Sequence, residues 1–471
     1  MKLTRVEITH FRCFESLPIT LQPDVNVIVG ANGAGKSSVL DAIAIALYEI
    51  VAANGAGGKR QRALQSATLK PTDIYIDRNA ADPSVGRKPF VQIRAQAKDL
   101  YAVGEFTSRP LLLEDNADFG PILEWSQHIT FNPPNSFSYA SGNSEQLSRL
   151  DRYFQALWQE INTSSPQALI PLPAVAYYRA RRRMNGMPEL GGIFKSAPGR
   201  IEAYVSAMDA GANFASMCQW LYLRENEELR GRANKRATKV LELPDLHAVR
   251  EVVKASIAGV ERVYFDGNPP RLMIDLGSHD GEPQAMELSQ LSDGYRNLLA
   301  LFLDFARRLV QANPSWPNPL EAPGILLIDE IELHLHPKWQ QTVIPSLRSA
   351  FPNTQLIITT HSPAVLTTVR REHIHLLTSE HRFESLPDDV GTYGAENSRV
   401  LAEVFGTHAR PPGIETTEKL HRYLGFVEER KENGDEARAL RKELEEALGK
   451  SDPDLRRADL RVRQIDALRK K

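Results

Sequence analysis

The sequence has little cysteine. Only Cys13 and Cys218 occur among 471 residues, and neither lies in a His/Cys cluster at metal-ligand spacing. That scarcity argues against a disulfide scaffold or a structural zinc site and fits a reducing cytoplasm. Long apolar runs are also missing: the longest, Ala42 to Ala53, contains Glu49 and is too short to span a bilayer. The opening stretch MKLTRVEITHFRCF alternates apolar and polar residues as a strand does and has no signal-peptide core. A cytoplasmic protein with no membrane partner is therefore expected. No sign of charge dominates, since 57 basic residues face 59 acidic ones for a formal net charge of −2. That balance excludes a uniformly basic coat but not a local basic patch. Internal repeats and heptad runs long enough for a coiled-coil arm are absent too.

What is present supports a large buried core. The hydrophobic share is 42%, ordinary for a globular chain. Val25–Val29 is a β-branched run that predicts a buried strand, and Ser37–Val51 is apolar at helical spacing. Phe90–Ala97 reads as another strand. The Pro-, Asn- and Ser-rich stretch 109–142 reads as loops, and Ser144–Ile161 as a helix. A charged helical pattern fills about 200–250, followed by strands at Val260–Phe265 and Arg271–Leu276. Leu298–Leu309 is helical, Gly324–Ile328 and Gln355–Thr360 are apolar strand runs, and the chain beyond about 386 is helical and charged.

Between the first predicted strand and helix stands Gly30-Ala31-Asn32-Gly33-Ala34-Gly35-Lys36-Ser37, a match to G-x-x-x-x-G-K-[ST]. Such a loop wraps phosphates in backbone N–H groups at a helix N-terminus. Lys36 is expected to reach the β- and γ-phosphates of ATP, and the Ser37 hydroxyl to ligate Mg²⁺. Gly30, Asn32, Gly33, Gly35 and Ser38 complete the expected nucleotide contacts. The similar letters at Asn54–Lys59 follow no strand and carry Arg60 where a hydroxyl is needed, so they read as a loop. The strand Gly324–Ile328 ends in Asp329 and Glu330. Asp329 is the expected metal acid, and Glu330 the base that polarises the attacking water.

Two further motifs complete the set. Leu291-Ser292-Asp293-Gly294-Tyr295-Arg296 precedes an apolar helix, where Ser292 and Gly294 could hold a γ-phosphate or simply cap the helix. Thr359-Thr360-His361-Ser362-Pro363 follows a strand, and His361 could donate a hydrogen bond to the γ-phosphate. Taken in order, the four motifs resemble the ABC-type ATPase heads of the SMC/RecF/OLD group. Asp329-Glu330-Ile331-Glu332-Leu333-His334-Leu335-His336-Pro337 is similar to the RecF/OLD-like branch. So is Ile8-Thr9-His10-Phe11-Arg12-Cys13-Phe14, in which Arg12 matches a basic residue near the nucleotide.

The resemblance implies an α/β P-loop NTPase with a mixed sheet flanked by helices. It further implies that two protomers sandwich two ATPs, each Ser292 completing its partner's site. The head would comprise an N-terminal half (1–108) and a C-terminal half (256–385), split by a mainly helical insertion (109–255) and followed by a helical region with a basic tail (386–471). The glutamine contact of such heads has two weak candidates, Gln92 and Gln96.

Tyr177-Tyr178-Arg179-Ala180-Arg181-Arg182-Arg183 could bind phosphates and stack on bases, or be a solvated basic turn. Asp452-Pro453-Asp454 is the one nearby D-x-D. With proline inside and no strand before it, it reads as a helix start rather than a nuclease metal site. Gly391-Thr392-Tyr393-Gly394 and the segment Asp452–Leu455 add a resemblance to PtuA-like bacterial ATPases of Septu and retron-associated defence. That resemblance implies an oligomeric ATPase that controls a separate HNH nuclease, PtuB-like, during phage infection. The competing expectation is a RecF/SMC-like DNA-repair ATPase without a nuclease partner; a transporter ATPase is the third.

Overall fold

The computed structural model describes residues 1–54, 69–76, 88, 90–98, 122–132, 136–141, 144–163, 170–180, 199–208, 214–233, 243–277, 283–408 and 410–469. By compactness the chain divides into Met1–Ala395 and Glu396–Lys471.

The first unit is organised by a sheet whose central strands carry buried runs. Strand β1 is Lys2–Phe11, β2 Phe14–Thr20 and β3 Val25–Gly30; β4 is Phe90–Lys98, β5 Leu123–Asn132, β6 Ser136–Ser141 and β7 Ala174–Tyr178. Then come β8 Val260–Asp266, β9 Arg271–Leu276, β10 Gln284–Glu287, β11 Gly324–Ile328, β12 Thr354–Thr359, β13 Ile374–Leu377 and β14 Phe383–Glu384. Six of them form one sheet in the order β14-β13-β3-β12-β11-β7. All neighbours in it are parallel except β14, which runs antiparallel at one edge. β3, β7, β11 and β12 are buried along their whole length. Strands covered on both faces lose the polar alternation of a half-exposed strand, which is why these segments read as unbroken apolar runs.

The parallel register has a functional consequence. It puts the chain segments that follow β3, β12 and β11 at one edge of the sheet, where ligands of α/β folds bind. The glycine loop, Thr360-His361 and Asp329-Glu330 are those segments.

A second sheet, β2-β1-β4-β5-β6, is wholly antiparallel. Helix α1 (Lys36–Asn54) touches strands of both sheets, and Val39 through Ala52 of it are nearly all buried. It contributes to one core with Leu3, Val6 and Ile8 of β1, Trp125 of β5, and Ile325 and Leu327 of β11. A third, three-stranded sheet runs β10-β9-β8. The remaining long helices of this unit are α2 (Ser144–Thr163), α3 (Phe214–Ala233), α4 (Pro244–Ser256) and α5 (Asp293–Ala312).

One expectation is corrected here. The stretch 109–142, read as loops, contains β5 and β6, and the missed signal is the period-2 alternation of Leu123, Trp125 and Ile129 with polar neighbours. The stretch 109–255 carries helices α2, α3 and most of α4, and also strands that join both sheets. β5 and β6 extend the antiparallel sheet, and β7 pairs with β11 inside the parallel one.

The second unit holds helices Asn397–Phe405, Glu415–Glu428, Asp435–Leu448 and Pro453–Arg469. Leu420, Tyr423, Val427, Leu440, Leu444 and Leu455 form its core. Asp452 accepts from the backbone N–H groups of Asp454 (3.0 Å) and Leu455 (3.3 Å), so D-x-D starts a helix as expected. Both of its carboxylates also bind Arg410. Arg456, Arg457, Arg461 and Arg463 of the basic tail are exposed, whereas Lys470 and Lys471 lie outside the described residues. Among the described residues no helix is long and apolar enough to cross a membrane.

Candidate nucleotide site

A cavity of about 730 Å³ opens at that sheet edge. Its walls include Asn32, Gly33, Gly35, Lys36, Ser37 and Ser38 from the loop and α1, with Arg12, Glu330 and His361 from elsewhere in the chain. Gly35 has φ +106°, and a side chain there would place its Cβ 2.7 Å from Cys13 Sγ and from Phe14 Cζ. Only glycine satisfies both the backbone conformation and the close approach of the β1–β2 turn. Lys36 is buried, and its Nζ donates to the carbonyls of Gly30 (2.9 Å) and Ala31 (3.0 Å). Burial lowers its pKa, against the pull of Asp329, Glu330 and Glu332. Its head thus bends back on the loop that its own position terminates.

The acidic pair is set by contacts distant in sequence. Ser37 Oγ donates to Asp329 Oδ2 at 2.9 Å, and Thr359 Oγ1 donates to Asp329 Oδ1 at 2.6 Å. Glu330 follows with φ +47°, a left-handed conformation that costs a non-glycine residue of the order of 1–3 kcal/mol. The Glu330 N–H donates to Thr359 Oγ1 (2.8 Å), and the Ile331 N–H to the Thr359 carbonyl (3.1 Å). Thr359 therefore holds both carboxylate residues from the neighbouring strand. Sequence reasoning did not single it out.

Glu332 was also missed, although it sits two residues beyond Glu330 in the quoted motif. Its carboxylate accepts from Thr360 Oγ1 (2.7 Å) and from the His361 N–H (2.6 Å), tying the histidine loop to the acidic strand. Burial and the Lys36 ammonium lower the His361 pKa below 6.5, against three nearby carboxylates, so the ring is neutral at pH 7.5. A neutral imidazole still offers one N–H donor.

Arg12 lies at the cavity wall, in a left-handed conformation (φ +52°) at the turn between β1 and β2. Tyr75, Ile76 and His381 line the cavity as well and carried no motif signal. His381 Nδ1 is 2.8 Å from the Ala34 carbonyl, so Nδ1 carries a proton and donates to it.

The signature turn is not part of this cavity. Ser292 is the N-cap of α5, its exposed Oγ accepting from the Tyr295 N–H at 3.5 Å. Gly294 is packed so closely that an added Cβ would fall 2.4 Å from the His334 carbonyl oxygen. Its glycine is thus already required by packing against the segment after the acidic strand.

Other sequence candidates fall elsewhere. Gln92 and Gln96 are on β4, Gln96 Nε2 donates to Glu124 (2.7 Å), and neither lines the cavity. Tyr177 and Tyr178 are buried in β7 and cannot stack on bases. Tyr177 OH donates to Asp41 (2.8 Å) and Tyr178 OH to Asp304 (2.7 Å). Arg179 is ion-paired with Asp41 at 2.9 Å, while Arg181, Arg182 and Arg183 lie outside the described residues. Consecutive strand side chains point to opposite faces. One tyrosine accordingly reaches α1 and the other reaches α5, where Asp304 forms a fully buried cluster with Arg307 and Arg308.

Comparison with known proteins agrees with this geometry. Residues 25–367 match the family described as "AAA domain, putative AbiEii toxin, Type IV TA system". The chain is 26% identical to the retron Ec83 probable ATPase of Escherichia coli, over 97% of its own length and 85% of that protein's. It is 26% identical to the retron Vc95 probable ATPase of Vibrio cholerae serotype O1 biovar El Tor, over 85% of this chain and 78% of the other. Septu protein PtuA of Bacillus mycoides (strain KBAB4) is 37% identical over 133 residues, 27% of this chain and 18% of that protein. A glycine loop, an acidic strand end and a histidine loop meet in one cavity, within a family match that spans most of the molecule. The chain therefore belongs to this AAA-domain family and is an ATPase of the SMC/RecF-like, ABC-type group.

Proposed function

We propose that the chain binds ATP with Mg²⁺ in this cavity and hydrolyses it in a nucleotide-sandwiched assembly of at least two copies. We propose further that this cycle regulates a separate, PtuB-like HNH nuclease in cytoplasmic antiphage defence. The carrying observation is that Lys36, the Ser37–Asp329 pair, Glu330 and His361, drawn from three distant segments, meet at one sheet edge. The similarity to retron ATPases and to PtuA supports the defence role.

The residues divide the work by their chemistry. The loop from Gly30 to Ser38 presents backbone N–H groups to the phosphates, and Lys36 brings its ammonium to the β- and γ-phosphates. Ser37 Oγ and Asp329 Oδ2, 2.9 Å apart, are hard oxygen donors of the kind Mg²⁺ selects. Mg²⁺, when bound, neutralises charge on the phosphate oxygens. Glu330 accepts the proton of the attacking water, and its fixed backbone keeps it at the cavity wall. His361 donates its N–H to the γ-phosphate. Ser292 and the N-terminus of α5, exposed and away from this cavity, serve the site of a second copy.

The test is co-expression with a PtuB-like HNH nuclease, followed by purification and sedimentation. The pair should co-purify, and its DNA cleavage should change with ATP. A Glu330→Gln chain should sediment faster with ATP than without. Nuclease activity from this chain alone that survives Glu330→Gln overturns the partner reading. Sedimentation indifferent to ATP overturns the sandwich.

A further inference from the structure

Arg12 is a cavity residue held by side chains outside the cavity. Its Nη1 donates to Asp41 Oδ2 at 2.6 Å and lies 3.4 Å from Ser38 Oγ. Its Nε donates to Asp73 Oδ1 at 2.9 Å, and its backbone N–H to the Asp73 carbonyl at 2.7 Å. Nη2 has no partner among the described residues. Burial works against the charge of Arg12, yet the hydrogen bonds and attraction of Asp41 and Asp73 raise its pKa overall.

Asp41 is the unusual member of this group. It sits on α1 one helical turn beyond Ser37, its side chain only 12% exposed. Three donors from two separate parts of the chain converge on its carboxylate. Besides Arg12, Oδ1 accepts from Tyr177 OH (2.8 Å) and pairs with Arg179 Nη2 (2.9 Å); Tyr177 lies within β7, and Arg179 is the first residue beyond it. Burial and the nearby Asp41 carboxylate push the Tyr177 hydroxyl pKa well above its ordinary value, so it stays a donor. The two arginines balance the carboxylates Asp41 and Asp73. Arg12 can therefore turn its remaining donors to a ligand without leaving a buried carboxylate unpaired.

We propose that Asp41, held by Tyr177 and Arg179, is a positioning residue that sets the Arg12 guanidinium against the nucleotide in the cavity. The proposal rests on reading the cavity as the ATP site. It gives the Tyr177-Tyr178-Arg179 segment a role in the ATPase site itself. The strained backbone of Arg12 fits a side chain aimed by its surroundings rather than by its own rotamer preference.

The test is a double-mutant cycle on the full chain, read as KM and kcat for ATP hydrolysis, with thermal unfolding as a check on folding. Asp41→Asn keeps the shape and removes the charge. It should raise KM about 10-fold, as loss of one charge-assisted hydrogen bond does, with kcat within about 2-fold. Tyr177→Phe should raise KM by a smaller factor, about 3-fold. Arg12→Ala should raise KM at least as much as Asp41→Asn, and the double variant Arg12→Ala/Asp41→Asn should be no worse than Arg12→Ala alone. Additive effects in the double variant, or a KM unchanged or lowered by Asp41→Asn, overturn the proposal. Should Asp41→Asn fail to fold, the cycle is run with Tyr177→Phe in its place, and the same outcomes apply. ATP binding that persists in Lys36→Ala would instead sink the reading of the cavity and leave this coupling to be read on its own.

Discussion

The glycine loop and the signature turn are both short polar turns at a helix N-terminus, yet the structure treats them differently. The loop before α1 meets an acidic strand, a histidine loop and Arg12 in one cavity of the same chain. The turn before α5 stands apart with Ser292 exposed, and its glycine is explained by contact with the His334 carbonyl. One chain therefore brings the glycine loop, the Asp329-Glu330 strand end and His361 together by itself. A phosphate role for Ser292 requires a second chain, because no part of its turn lines this cavity. The physical difference lies in the strands that lead into each turn. β3, β11 and β12 are parallel neighbours whose ends coincide, whereas α5 is reached from the separate sheet β10-β9-β8.

The comparison can be broken most directly at Lys36. Lys36→Ala removes the buried ammonium, and ATP affinity measured by calorimetry should fall by more than about 100-fold, the scale of a lost desolvated charge contact. Wild-type affinity in that variant would mean that the cavity is not the ATP site. Ser292→Ala tests the other half. It should leave ATP affinity unchanged at protein concentrations where the chain is single, and lower kcat by about 10- to 100-fold, as removal of one preorganised donor does. A loss of affinity at those concentrations would place Ser292 in its own chain's site.

Two smaller effects sharpen the contrast through stability. Gly294→Ala drives a Cβ toward the His334 carbonyl, 2.4 Å away, and should cost about 1–3 kcal/mol in denaturant unfolding. A neutral result would return that glycine to a purely phosphate-binding role. Behind the glycine loop, His375 of β13 has its Nε2 3.0 Å from Asn26 Oδ1. Burial, with the neighbouring His373, lowers its pKa to about 4. The unfolded chain, near 6.5, binds the proton first as pH falls. The stability contribution of a neutral His375 is thus complete above pH 6.5 and is lost toward pH 4, at most about 3 kcal/mol. His375→Gln should flatten that part of the pH–stability curve, measured by urea unfolding between pH 7.5 and 4.5. An unchanged slope would assign the acid sensitivity to other groups.

Much of the site was legible because its motifs are local. A glycine loop between a β-branched strand and an apolar helix specifies a phosphate cradle through backbone conformation alone. Asp329-Glu330 at the end of GILLI needs only the strand to be read correctly. What local reading left open shares one cause, which is that burial is a property of neighbours. Tyr177-Tyr178-Arg179 looks like an exposed stacking surface until β7 is seen beside β11, where both rings are inside and the arginine is spent on Asp41. Gln92 and Gln96 had suitable side chains but sit in the antiparallel sheet. Thr359, Glu332 and Asp41 have ordinary sequence contexts, and their importance comes from contacts spanning 28 to 138 positions of chain.

The scarcity of cysteine and the absence of long apolar runs were enough to set aside zinc sites, disulfides and bilayer spans as expectations. The sequence by itself determined the class of the molecule and its local motifs, because loop conformation and strand burial follow from a few consecutive side chains. Only the tertiary structure decided which of those motifs share a cavity. Parallel pairing aligned the ends of β3, β11 and β12, left the Ser292 turn outside, and made Asp41 the common anchor of two arginines. Those outcomes depend on which strands become neighbours, a choice made by the whole core rather than by any one segment.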